Sequence, residues 1–202
     1  MDLTAFARPL DASMYPFLTS AGVVAISEIG DKTQLLALIL AVRFRKPVPI
    51  ILGILVATLA NHAAAAWAGG WIASAVDPTI LRWILGILFL GMAGWALIPD
   101  KIDESEHQRT YAGGAFVATT VAFFLAEIGD KTQIATAALA AQFETLLPVV
   151  VGTTLGMMIA DVPAVLIGDR VAHRINLKYV RWVAAAIFAA LGILALTGVN
   201  FL

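Results

Sequence analysis

The run SEIGDKTQ, Ser27 to Gln34, lies between LTSAGVVAI and LLALILAV, stretches apolar enough to enter a bilayer. AEIGDKTQ, Ala126 to Gln133, repeats it between TTVAFFL and IATAALAA. A charged group at the centre of a membrane helix costs about 2.5–3.5 kcal/mol. The six charges of Glu28, Asp31, Lys32, Glu127, Asp130 and Lys131 would therefore cost roughly 15–20 kcal/mol if simply summed, an upper bound that pairing reduces. This constrains the fold more than any other feature. At about 100° per residue the charges share one sector of a helix, and Thr33 and Gln34 spread polarity around the rest. Neither segment can face lipid at this level. Each is enclosed by other helices, or is broken near Gly30 and its repeat to line a cavity.

The rest of the chain supplies the enclosure. Of 202 residues, 60% are hydrophobic and 13% charged, with a mean hydropathy of +0.89. That composition is an all-α membrane protein with little room for a soluble domain. There is no cysteine for a disulfide or thiolate metal site, and no basic patch suggests nucleic acid. Spans of about 20 apolar residues are expected at roughly 13–42, 48–75, 80–98, 112–141, 146–168 and 179–201. The first reads as a retained helix, because MDLTAFARPLDASMYPFLTSAG has no charged n-region before a short apolar core. The one long polar connection, PDKIDESEHQR, divides the chain into 1–98, a 99–111 loop and 112–202.

The halves correspond without a gap at an offset of 99: Glu28 with Glu127, Asp31 with Asp130, Phe44 with Phe143, Pro49 with Pro148, Gly53 with Gly152, and Arg82-Trp83 with Arg181-Trp182. Three spans per half is odd, so the second half enters from the opposite side. The expectation is six transmembrane helices as two inverted three-helix repeats, a plan that secondary transporters use with their site near the midplane. Arg43, Arg45, Lys46, Lys101, Arg109, Arg170, Arg174, Lys178 and Arg181 fall on one side, against Arg8 and Arg82 on the other. The positive-inside rule then puts both termini outside and the 99–111 loop in the cytoplasm.

Inverted repeats would bring the two motifs together. Glu28, Asp31, Glu127 and Asp130 would converge, with Thr33, Gln34, Thr132 and Gln133 adding neutral oxygens, a donor set for hard divalent cations. Protons compete for the same oxygens, which is the basis of an antiporter. Lys32 and Lys131, four residues after Glu28 and Glu127, are placed to balance charge within each motif. In TLANHAAAA, Thr58, Asn61 and His62 share a face, and Asp161 stands at the repeat position of His62. His62, Asp161 and Asn61 are candidates for a proton pathway or auxiliary ligation, and an imidazole there favours Mn²⁺ over Ca²⁺ modestly. Pro163 is expected to kink the helix beside Asp161. Trp67, Trp71, Trp83, Trp95 and Trp182 read as interfacial anchors. Gly69, Gly70, Gly86, Gly91 and Gly94 read as close-packing positions. GDKT lacks the residue order of a phosphate-binding loop.

Twin EIGDKT motifs at 28–33 and 127–132, one opening each half, closely resemble those of a family of small cation/proton exchangers. That family includes bacterial manganese exporters and the Golgi and chloroplast manganese/calcium transporters. The resemblance covers essentially the whole chain. It implies export of Mn²⁺ from the cytoplasm across a bacterial inner membrane, driven by entering protons. It also implies metal binding by Glu28, Asp31, Glu127 and Asp130, supported by Thr33 and Thr132. Cation and protons are then substrates, with no cofactor and no enzyme activity; the partners are the bilayer and those ions, with a homo-oligomer left open. Rival readings are a Ca²⁺/H⁺ antiporter, a divalent-cation channel and an exporter of small organic cations.

Overall fold

The computed structural model describes residues 4–98, 114–167 and 177–198, so the 99–111 connection lies outside the described residues. Among the described residues there are eight helices and no strand: α1 Thr4–Glu28, α2 Lys32–Phe44, α3 Pro47–Ala75, α4 Pro78–Ala96, α5 Gly114–Glu127, α6 Lys131–Phe143, α7 Leu147–Ile167 and α8 Leu177–Thr197. Four contain spans long and apolar enough to cross a membrane (Pro47–Ala75, Pro78–Ala96, Leu147–Leu166 and Lys178–Thr197), and Gly114–Glu127 is a shorter apolar helix.

The expected long segments 13–42 and 112–141 are not continuous helices. Each breaks in its motif, where Gly30 (φ 81°) and Gly129 (φ 75°) take a left-handed backbone that residues with a Cβ adopt at a cost. Asp31 and Asp130 follow in extended conformation as N-caps of α2 and α6. The single-sector placement of Glu28, Asp31 and Lys32, which assumed an unbroken helix, is corrected accordingly: glutamate ends one helix and aspartate begins the next. Pro163 lies inside α7, where it has no N–H to donate to the preceding turn.

Packing is paired across the two halves. α1 lies on α7 as α5 lies on α3, α3 meets α6 as α7 meets α2, and α4 packs against α8. A Cβ on Gly53 would fall 2.9 Å from the Phe116 carbonyl oxygen, and one on Gly152 2.5 Å from that of Phe17. Phe17 and Phe116 are themselves related by the 99-residue offset. Small residues let these backbones approach, as membrane helix interfaces require. Gly69 packs against the Ala137 carbonyl and Gly86 against Leu196, but among the described residues Gly70, Gly91 and Gly94 have nothing within 4 Å of a notional Cβ. Close packing therefore accounts for two of the five glycines singled out in the sequence.

Burial is inverted relative to a water-soluble protein. Glu28, Glu127, Asp161, His62, Thr33 and Thr132 are fully buried, while Val42, Leu147, Ile87 and all five tryptophans lie on the outside. An apolar exterior around a polar interior is what a lipid-solvated bundle needs. Two apolar clusters flank the interior. One is built round Phe89, Leu139 and Phe188, the other round Ile50, Ile54 and Phe123.

Candidate metal centre

The two helix breaks put four helix ends at one level of the bundle. The carboxyl ends of α1 and α5 carry Glu28 and Glu127, and the amino ends of α2 and α6 are capped by Asp31 and Asp130. A helix carboxyl end carries partial negative charge, so it favours a cation; the amino ends stabilise the aspartates. Two bonds recur in both breaks, although only Asp130 caps its helix with its side chain. Asp31 N–H donates to the Glu28 carbonyl at 3.0 Å and Asp130 N–H to that of Glu127 at 3.1 Å. Gln34 Oε1 accepts from Gly30 N–H at 3.0 Å and Gln133 Oε1 from Gly129 N–H at 2.7 Å. Each glutamine is thus the third residue of its helix reaching back past the N-cap aspartate to the glycine N–H, one residue before the donor that a capping box uses.

One carboxylate oxygen from each of Glu28, Asp31 and Asp130 lies within 4.8 Å of the others, and all three residues are buried. Opposite ligands around a cation with bonds of about 2.3–2.6 Å stand about 4.6–5.2 Å apart, so these oxygens can close on a single ion. Glu127 is fully buried but falls outside that triad. The threonines serve the glutamates. Thr33 Oγ1 donates to Glu28 Oε2 at 2.6 Å, and Thr132 Oγ1 to Glu127 Oε2 at 3.1 Å. Each holds one oxygen and leaves Oε1 of Glu28 and Glu127 buried without a hydrogen-bond partner among the described residues. A buried acceptor without a donor is costly, and a cation at the triad would engage the Glu28 carboxylate.

Three placements differ from the sequence expectation. The ion pairs of the lysines cross between the motifs: Lys32 Nζ pairs with Asp130 Oδ1 at 3.0 Å, and Lys131 pairs with Asp31. The aspartate of each motif is paired with the lysine of the other. Gln34 and Gln133 spend their oxygens on the breaks rather than on the carboxylate cluster; Gln34 Nε2 also donates to the Ala160 carbonyl at 3.0 Å. Asn61 Nδ2 donates to the Phe124 carbonyl at 3.1 Å, tying α3 to α5. His62 is fully buried with no partner on either ring nitrogen among the described residues, and it is not in the triad. Asp161 is fully buried, and the residue before it, Ala160, accepts at its carbonyl from Gln34 Nε2.

The family profile described as "Divalent cation/proton antiporter GDT1" matches residues 16–104 and 115–200. The chain belongs to the GDT1 family. It is similar to the "Putative manganese exporter" of Vibrio cholerae serotype O1, 55% identical over 181 residues that cover 89% of this chain and 90% of that protein. The GDT1-like protein sll0615 of Synechocystis is 31% identical over 187 residues, 82% of this chain and 89% of its own. GDT1-like protein 3 of rice is 26% identical over 195 residues, 84% of this chain and 69% of its own. No solved structure matches. This chain is therefore a multi-pass membrane protein of a divalent-cation transport family, a transporter and not an enzyme.

Proposed function

We propose that this protein exports Mn²⁺ from the bacterial cytoplasm in exchange for protons, with Glu28, Asp31 and Asp130 as the cation ligands. The observation that carries this reading is the buried carboxylate triad formed across the two motifs. Glu127 completes the set in another state of the transport cycle, since it is the repeat counterpart of Glu28. Thr33 and Thr132 orient the glutamates, and Lys32 and Lys131 hold the aspartates when no cation is bound. The two motifs carry four carboxylates and two ammonium groups. One divalent cation or two protons neutralise the remainder, so the two substrates can replace each other with little change in buried charge.

The architecture we infer is six membrane spans in two inverted repeats, 1–98 and 112–202, with both termini outside and the 99–111 loop cytoplasmic. The exchange of helix partners between halves supports it: α1 with α7 as α5 with α3, and α3 with α6 as α7 with α2. Mn²⁺ is preferred as cargo because the Vibrio relative's name specifies manganese. The triad itself is all oxygen, a chemistry equally suited to Ca²⁺, so Ca²⁺ is the second substrate to test.

Competition for the same oxygens fixes the direction of the pH dependence. Each bound proton removes a ligand and a negative charge, so apparent Mn²⁺ affinity falls as pH drops. Calorimetric titration of the purified protein with Mn²⁺ and with Ca²⁺ between pH 5.5 and 8 is the test. An affinity independent of pH contradicts exchange at a shared site and favours a channel.

A further inference from the structure

Helix α6 starts behind the triad residue Asp130 and ends on a residue that neither its backbone nor its charge favours there. Glu144 is its C-cap, in a left-handed conformation at φ 52°, where glycine is the usual choice. Its carboxylate also stands at a helix carboxyl end, whose partial negative charge repels it. The repeat counterpart, Arg45, takes the same backbone at φ 51° on α2, but it brings the charge that such an end attracts. The cap is common to both halves; the acid belongs to one.

Glu144 opens onto a cavity of about 300 Å³ in the groove between α3 and α6. Ala66 and Gly70 line it from α3 and Ala140 from α6, and among the described residues that line it Glu144 alone is charged. Thr145 lines it too, with its Oγ1 buried and without a hydrogen-bond partner among the described residues. A cavity of this size has room for several water molecules, which would supply that partner. Ala66 is the lining residue of α3 nearest in sequence to His62, which stands one turn before it. His62 is fully buried, with neither ring nitrogen partnered among the described residues. On its other side Glu144 borders a second cavity, of about 290 Å³, and Arg82 lines that one and not the first.

We propose that the cavity between α3 and α6 is the outer vestibule of the cation and proton route, and that Glu144 is the carboxylate that concentrates cations in it. A fixed charge in a cleft with walls of low dielectric constant raises the local concentration of its counter-ions, and with it their rate of arrival. Glu144 therefore acts on rate without ligating the bound ion, which explains an acid kept where the helix end disfavours it. The outer side and the cargo rest on the proposed function above.

The sequence has no cysteine, so a single Gly70→Cys reports on the cavity, and nothing among the described residues lies within 4 Å of a Cβ there. The probes are a cationic and an anionic methanethiosulfonate, both membrane-impermeant, added outside right-side-out vesicles. The cationic reagent is expected to react faster, and Glu144→Gln to reduce the ratio of the two rates about threefold or more. Should Gly70→Cys fail to fold, Ala73→Cys lines the same cavity. In liposomes Glu144→Gln slows Mn²⁺ flux about threefold or more while calorimetric Mn²⁺ affinity stays within about twofold of wild type, and Glu144→Asp keeps the flux. No reaction of the cavity cysteine, or reaction from the cytoplasmic side alone, overturns the outer vestibule. A rate ratio or a flux that Glu144→Gln leaves unchanged overturns the role of Glu144, and so does a loss of affinity as large as that of Asp130→Asn, for Glu144 would then be a ligand. Failure of the triad reads out separately, as wild-type affinity in Asp130→Asn, and leaves the labelling ratio untouched.

Discussion

Asp130→Asn separates cation binding from folding, because aspartate plays two parts at this position and asparagine can play only one. As N-cap of α6, Asp130 accepts from Thr132 N–H at 3.5 Å. Asparagine caps a helix about as well as aspartate, so the break survives. The freed Lys32, 28% exposed, can reach towards solvent, which limits the cost of its lost partner. The expected change in stability is below about 1 kcal/mol. Cation binding fares differently. The triad loses one of its three charged ligands. Truncating one member of a buried charge pair costs about 2–5 kcal/mol, and the lower figure already corresponds to a roughly 30-fold loss of affinity. Mn²⁺ calorimetry and thermal unfolding of the same purified preparation give both numbers. Affinity within about twofold of wild type, in a folded variant, would refute the site.

Further outcomes follow from the packing and the topology. Gly53→Val and Gly152→Val both lower the unfolding temperature, because each Cβ would meet a backbone carbonyl of a neighbouring helix. Gly91→Ala, with nothing within 4 Å among the described residues, gains about 0.5–1 kcal/mol from helix propensity; destabilisation there would show that α4 has a further neighbour. Single cysteines near Lys46 and near Pro78 are labelled by a membrane-impermeant maleimide from the cytoplasm and from outside respectively. Labelling of both from the same side contradicts the inferred orientation.

Much of this was written in the sequence. The 99-residue offset is visible because charged residues at membrane depth tolerate no drift, so the copies of EIGDKT match letter for letter. The break was legible in outline: glycine amid charges within overlong apolar segments. Its geometry was less so. Helical spacing put Lys32 beside Glu28, and that inference fails once Gly30 leaves the helical region, since spacing rules hold only within an unbroken helix. The role of Gln34 and Gln133 had a readable sign, because D-K-T-Q has the spacing of a capping box. A polar group beside a carboxylate cluster looks like a ligand, and that resemblance hid the cap. The crossed pairs, Lys32 with Asp130 and Lys131 with Asp31, depend on how the halves meet in space, which no local pattern encodes.

The proposed coupling has Mn²⁺ and protons alternate at one set of carboxylates. The direct measurement is proton movement in sealed liposomes containing the purified protein, driven only by a Mn²⁺ gradient and followed by a trapped pH-sensitive dye. The expected result is proton flux opposite to Mn²⁺, present in wild type and absent in Asp130→Asn and Glu28→Gln at equal reconstitution. Mn²⁺ flux that proceeds with no proton movement, at a rate indifferent to the pH gradient, would contradict it.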